Sequence, residues 1–197
     1  MKTIAKYIRM RLLKEHRLKV VQGLISDISW IIDSVYKRDS GQASQLICDS
    51  FLRKKLLDRE IKKKDVILVA EELVLMLTEN KISALSRASV VWILGKVPCQ
   101  QSIKYLKSIL LDFNIKKGSF DELYQIVAAI STFLMFNSSH KASIRGEERI
   151  QCIRKLHSLR SCGNKRTENL IKEILKYNSP SSSSPSSNNK TNQLDKP

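Results

Sequence analysis

The stretch Leu77-Thr78-Glu79-Asn80-Lys81-Ile82-Ser83-Ala84-Leu85-Ser86-Arg87-Ala88-Ser89-Val90-Val91-Trp92-Ile93-Leu94-Gly95-Lys96-Val97 decides how this chain is read. Ser83 is a candidate N-cap, and Gly95 with Pro98 closes the pattern. Together they predict a helix over about 84–97. The same logic extends in both directions. Upstream, Val66, Val69, Leu73 and Met76 recur at helical spacing and predict a helix over about 65–79. Downstream, Ile103, Leu106, Leu110 and Phe113 mark a buried stripe over about 100–113. Ser119 with Glu122 three residues on is a capping-box signature for a helix over about 119–137.

Further helices are expected over about 2–19, 22–37, 42–58, 146–160 and 165–177. Three of the four prolines fall in the last nineteen residues, so Pro98 is alone in a body of roughly 178 residues. Proline-poor sequence with apolar periodicity favours helix. The fold class is therefore all-α, with eight to nine short helices, most of them in antiparallel pairs. That pattern suggests a stacked HEAT/armadillo-like α-solenoid over residues 1–178. Trp92 and Phe133 stand 41 residues apart in the first helices of successive units. HEAT and armadillo units repeat every 40–47 residues or so. Residues 179–197, rich in Ser, Pro and Asn, cannot bury enough apolar surface to offset chain entropy and are expected to be disordered.

The chain has 197 residues, 35 Lys+Arg and 19 Asp+Glu, a net charge of +16. The excess is clustered: +6 over 1–20, +5 over 53–64 and +6 over 141–176. The rest of the body is slightly acidic. Such patches point to an anionic partner: nucleic acid, a lipid headgroup surface or an acidic protein. A solvated, Lys-rich helix face is the plainer explanation of any one of them. Aromatics make up only 6% of the chain. Trp30, Phe51, Trp92, Phe113 and Phe133 fall on apolar stripes and are expected in the core. Only Tyr7, Tyr36 and Tyr177 lie near basic residues, so the stacking signal for nucleic acid is weak.

Cys48, Cys99, Cys152 and Cys162 form no CxxC pair, and His16, His140 and His157 are not at ligand spacing from them. No metal site and no cofactor is expected, and buried reduced thiols are the default. The N-terminus is charged throughout its first twenty residues and carries no secretory signal. Ile4, Ile8 and Leu12 share one face, as in a basic presequence, but Glu15 and the scarcity of Ser argue against one. The longest uncharged run, Leu123–Ser139, falls short of the twenty or so apolar residues of a membrane span. No phosphate-binding loop, metalloprotease or nucleophile-elbow motif is present, and Cys152 and His157 lack the spacing of a reactive pair. Nothing here predicts an enzyme.

The segment Arg87-Ala88-Ser89, then Trp92, then Gly95, resembles a late helix of the β-adaptin large-chain trunk of vesicle-coat adaptor complexes. The Arg-Ala-Ser form is most similar to the β subunit of adaptor-protein complex 3. Leu46–Lys54 resembles the preceding repeat, Leu123–Ile130 the following one, and Glu148-Arg149 with Cys152–Leu156 a later segment. In all, residues from about 18 to 177 match at low identity. Lys96 stands where the family has Glu, and Gln151 and Cys152 replace Arg and Phe. A full β-adaptin is several times longer, so the likeness is to the C-terminal part of a trunk and the start of a Ser-rich hinge.

The resemblance implies a structural motif of Arg87, Ala88, Trp92, Gly95, Arg149 and Arg154. In it Trp92 would pack between repeats, Gly95 would close the helix or let backbones approach, and Arg87 would cap a helix or pair with an acid. It implies a non-enzymatic scaffold for intracellular protein transport, either a subunit or a fragment of one. The partners would be other adaptor subunits, and the location cytoplasmic, peripheral on Golgi or endosomal membranes or vesicle coats. Lys54, Lys55, Lys62, Lys63 and Lys64 are candidate contacts to an anionic membrane surface. The alternative is a basic HEAT-like protein that binds nucleic acid.

Overall fold

The structure, a computed structural model, describes residues 3–14, 18–36, 51, 54–55, 58, 61–135 and 144–178. Among these, eight helices and no strand are found. They are α1 (Thr3–Lys14), α2 (Leu18–Tyr36), α3 (Lys63–Thr78), α4 (Ala84–Leu94), α5 (Gln100–Asp112), α6 (Phe120–Met135), α7 (Gly146–Ser158) and α8 (Lys165–Asn178). The helix expected over 42–58 and the tail over 179–197 lie outside the described residues, apart from Phe51, Lys54, Lys55 and Asp58.

Local chemistry sets the helix ends. Ser119 accepts the Glu122 N–H at 3.1 Å and opens α6. At the start of α3, the Asp65 carboxylate accepts the Lys62 N–H at 2.9 Å. That helix closes on Asn80, which adopts a left-handed φ of 53°. The Lys81 N–H then reaches the Met76 carbonyl, and the Asn80 N–H the Leu77 carbonyl, satisfying the last orphan acceptors. The helix expected over 84–97 ends earlier, at Leu94. Beyond it the N–H groups of Lys96 and Val97 bond three residues back, a tightened turn that leads into Pro98. Cys99, not a hydroxyl residue, caps α5 through its sulfur, which accepts from Ser102 N.

The helices pack in two sets. In one, α2 packs on α4, α4 on α6 and α6 on α8. In the other, α1 packs on α3, α3 on α5 and α5 on α7. The sets touch through α2–α3, α3–α4, α4–α5, α5–α6 and α7–α8. Named contacts give the directions. Arg87 meets Glu122 and Gly95 meets Ala129, so α4 and α6 run parallel. Lys107 meets Glu148 and Lys155 reaches the Phe113 carbonyl, so α5 and α7 do too. Arg149, early in α7, reaches Asn178 at the end of α8, so that cross-set pair is antiparallel.

The core lies between the sets. Val66, Val69, Leu73 and Met76 of α3 are buried, as are Ile103, Leu106 and Leu110 of α5. Ile4, Ile8 and Leu12 are buried as well, so the apolar face of α1 is spent on packing. Ile4 and Ile8 share the wall of a small apolar cavity with Ile28, Ile32, Ile61 and Val69.

One expectation about the core is overturned. Of the five aromatics placed there, Phe133 is buried, and Trp30, Phe51 and Phe113 are half-buried against it. Trp92, however, is 40% exposed. Val90, Val91, Ile93 and Leu94 occupy the inward arc of α4, and Val97 in the turn after it is buried with them. Trp92 is left outward, one turn beyond Ala88 and Ser89. The proposed equivalence of Trp92 and Phe133 therefore fails, because one points out and the other in. Truncating Trp92 to alanine should cost about 1 kcal/mol in a denaturant melt, since the ring is well exposed and its aromatic face meets the Lys96 ammonium. A loss of about 3–5 kcal/mol, the range for a buried Trp, would contradict the outward placement.

Candidate interaction surface

The residues singled out in the sequence have quite different surroundings. Arg87 is central to one network. Its Nε donates to Glu122 Oε1 at 2.8 Å, and its Nη2 to the Tyr105 hydroxyl at 3.2 Å. It thus ties α4 to both α6 and α5. Glu122 completes only half of a capping box, because its carboxylate turns to Arg87 rather than back to Ser119. Burial holds the Tyr105 phenol above its usual range, the nearby Arg87 charge working against that shift.

Lys96 is the centre of a second network. Its Nζ donates to Asp33 Oδ2 at 2.5 Å and to Ser29 Oγ at 2.9 Å, joining the end of α4 to α2. The same ammonium lies 3.8 Å from the centroid of the Trp92 ring. Here the residue that departs from the adaptin pattern, Lys for Glu, has its own acid: Asp33 is 3% exposed in its side chain. A glutamate at 96 would face that buried carboxylate directly.

Gly95 lies between the two networks. A Cβ built there would fall 2.6 Å from Ala129 Cα. Thr132 Oγ1 seals the junction by donating to the Gly95 carbonyl at 3.0 Å. Ala88 is half-buried on the outer side of α4. Arg149 is half-buried and bonds Asn178. Arg154 is exposed, 3.9 Å from Glu147, a surface pair worth little. The six motif residues are therefore not one site: Arg87, Ala88, Trp92 and Gly95 share α4 and its end, while Arg149 and Arg154 are on α7.

Similar ties recur between most neighbours. Arg9 bonds Glu72 at 2.9 Å between α1 and α3. Lys155 Nζ donates to the Phe113 carbonyl at 2.9 Å, capping the C-terminus of α5 from α7. The Arg166 guanidinium lies 4.0 Å over the Tyr124 ring, joining α8 to α6. Cation–aromatic contacts at Trp92 and Tyr124 were not among those expected from sequence, where only Tyr7, Tyr36 and Tyr177 lay near basic residues. Their spacing in sequence hides the second, but Trp92 and Lys96 are four residues apart, Trp92 in the last turn of α4 and Lys96 in the tightened turn that follows it.

Lys62, Lys63 and Lys64 are exposed at the start of α3. Three cations there oppose the helix dipole, and Asp65 offsets them only in part. Lys54 is exposed, and Lys55 lies 6.0 Å over the Phe51 ring. The Phe51 ring in turn meets Tyr7 of α1, with centroids 4.4 Å apart.

Cys99, Cys152 and Cys162 are buried and carry no disulfide. Burial, more than the opposing charges of Lys107 and Glu148, pushes the Cys152 thiol up to about 11. Cys152 should resist iodoacetamide at pH 8 in the native state and react once the chain is unfolded. The folded state keeps that proton longer than the unfolded one. Stability should therefore fall as pH rises from about 9 towards 11, a decline that Cys152→Ala would reduce. Equal labelling in both states would contradict the burial.

Among the described residues, no group of three or more His, Cys, Asp or Glu is placed to hold a metal ion. Among them also, no helix is long and apolar enough to cross a membrane. Comparison with protein-family models, with curated proteins and with solved structures finds no match. The candidate surface is therefore defined by its own residues.

Proposed function

We propose that this chain is an α-solenoid scaffold of the β-adaptin trunk type, a subunit or fragment of a vesicle-coat adaptor complex. In this reading it is non-enzymatic and cytoplasmic, and sits peripherally at Golgi or endosomal membranes. The observation that carries the reading is the pairing of helices in two sets of parallel neighbours. Two of the motif residues that suggested the family, Arg87 and Gly95, make the α4–α6 contacts of that packing. A solenoid built from such pairs would present surface rather than a cleft, and surface is what a scaffold uses.

Co-expression with an adaptor medium chain tests the reading. A complex that survives gel filtration at moderate salt is expected. No retained medium chain, together with binding to arbitrary duplex DNA that weakens steeply with salt, would replace it with the nucleic-acid alternative. The basic start of α3 is the proposed membrane contact. Replacing Lys62, Lys63 and Lys64 with Gln should leave the melting curve in place and reduce pelleting with phosphatidylserine liposomes. Each lysine near such a surface is worth about 1 kcal/mol. Unchanged pelleting would remove that contact.

A further inference from the structure

Charge is distributed unevenly between the two sets of helices. The outward positions of α1, α3, α5 and α7 include Lys6, Lys63, Lys64, Lys104, Glu147 and Arg154. Those of α2, α4 and α6 differ. Among their described side chains from 21 to 35, 88 to 94 and 123 to 135, the only charged ones are Asp27 and Asp33, and both are buried. The outward residues there include the small or aromatic Ser26, Trp30, Ser89, Trp92, Ala128 and Ser131 and the uncharged amides Gln22 and Gln125, all exposed or half-exposed. In a chain that is 27% charged, this leaves the middle of three packed helices without exposed charge, with Arg87, Asp121 and Glu122 at one end and Lys96 at the other. Depletion of charge with exposed aromatics is the composition of an interface centre.

The geometry also limits what would fit. Gly95 brings the end of α4 against Ala129, so the two helices approach closely. Ala88 and Ser89 on α4 and Ala128 and Ser131 on α6 are half-buried small residues. Trp92 stands out among them, its ring against the Lys96 ammonium. Beyond α6 the face is bordered by α8. That helix exposes Lys165, Arg166, Lys172 and Lys176 against the exposed Glu173 and half-exposed Glu168. Arg166 is placed at the boundary by its contact with Tyr124. A net charge of +16 opposes pairing with a second copy of the chain.

We infer that the face of α2, α4 and α6 docks an amphipathic helical segment of a partner protein, its apolar ridge on Trp92 between α4 and α6 and an acidic flank against α8. An amphipathic helix would lay its apolar ridge on this face, with the basic border setting orientation and Trp92 supplying the anchor. It stands on the packing and the charge pattern and does not depend on the adaptin reading.

The test uses the full chain and a fluorescein-labelled synthetic helix of about twenty residues, with a Leu/Ala ridge at helical spacing and Glu along one flank. Versions with Gln or Lys in place of Glu are the comparisons. Anisotropy should show the Glu peptide binding at least about tenfold more tightly than the Gln peptide. Trp92→Ala and Ala128→Arg should each weaken it about tenfold or more. Arg166→Glu with Lys165→Glu should weaken the Glu peptide and spare the Gln peptide. Ser89→Arg serves in place of Ala128→Arg if that variant melts early, and circular dichroism checks each fold. The proposal is overturned if Ala128→Arg and Ser89→Arg, both folded, bind as the parent does. It is also overturned if the same substitutions instead abolish a dimer in sedimentation, or abolish pelleting with phosphatidylserine vesicles.

Discussion

Gly95→Ala should destabilise the chain by about 3 kcal/mol, at the upper end of the range for overpacking. The sign of this effect is diagnostic. Gly95 has right-handed helical backbone angles, φ −63° and ψ −19°. In open surroundings a Gly-to-Ala change at such angles stabilises, by about 0.4–1 kcal/mol, because it restricts the unfolded chain. Here the new methyl would fall 2.6 Å from Ala129 Cα and 2.7 Å from Ala129 Cβ. The obstacle is backbone, not the flexible end of a side chain, so α4 and α6 must move apart. Such a shift would also strain the Thr132 bond to the Gly95 carbonyl. Adding Ala129→Gly should recover only part of the loss, since it removes the second clash and leaves the first. Urea melts of the two single variants and the double variant read this out directly. A Gly95→Ala protein as stable as the parent would mean that the helices do not meet there.

Lys96→Met should cost about 3–5 kcal/mol. The side chain of Asp33 is 3% exposed, and that of Lys96 is 17% exposed. Removing the ammonium leaves a carboxylate with little access to water, and most of the cost is its lost solvation rather than the lost attraction. Ser29 Oγ, buried beside it, would also lose its donor. Lys96→Met together with Asp33→Leu removes both charges and should regain most of the stability. The coupling from the double-mutant cycle should therefore be large, on the order of 1–3 kcal/mol. Added salt should change it little, because a pair this enclosed is poorly screened. If the double variant is no more stable than Lys96→Met alone, the ion pair is not what Lys96 contributes.

How legible these features were depends on the range over which each signal acts. Helix ends were readable because their signals are local: Ser119 caps α6, Gly95 and Pro98 mark the end of α4 and the turn after it, and Ser83 stands at the N-cap position of α4, where its hydroxyl pairs with Ser86 Oγ and not with a backbone N–H. Buried stripes were readable where apolar residues alternate with polar ones, as at Ile103, Leu106 and Leu110. Val90 to Leu94 is different. Five consecutive apolar residues carry no period, so nothing local says which one faces out, and a tryptophan among aliphatics looks like core. Packing decides it: the four aliphatics fill the inward arc and Trp92 is left outside. The ion pairs were the least legible. Lys96 and Asp33 are 63 residues apart, Arg87 and Glu122 are 35 apart, and each looks like surface charge in its own helix. Lys96 did stand out as a departure from the family pattern, but α2 carries two acids in its apolar run, Asp27 and Asp33, and nothing local says which one meets it.

Among the described residues, the main packing of each helix is with its neighbours in its own set and those opposite, so different helices should open at different free energies. In hydrogen exchange, α3, α4, α5 and α6, held on several sides, should protect their amides longest. The helices α1, α2, α7 and α8 pack on fewer of the described helices and should exchange sooner. Unfolding would then be graded rather than all-or-none, and the single charged ties between neighbours would set how far each opening spreads from helix to helix.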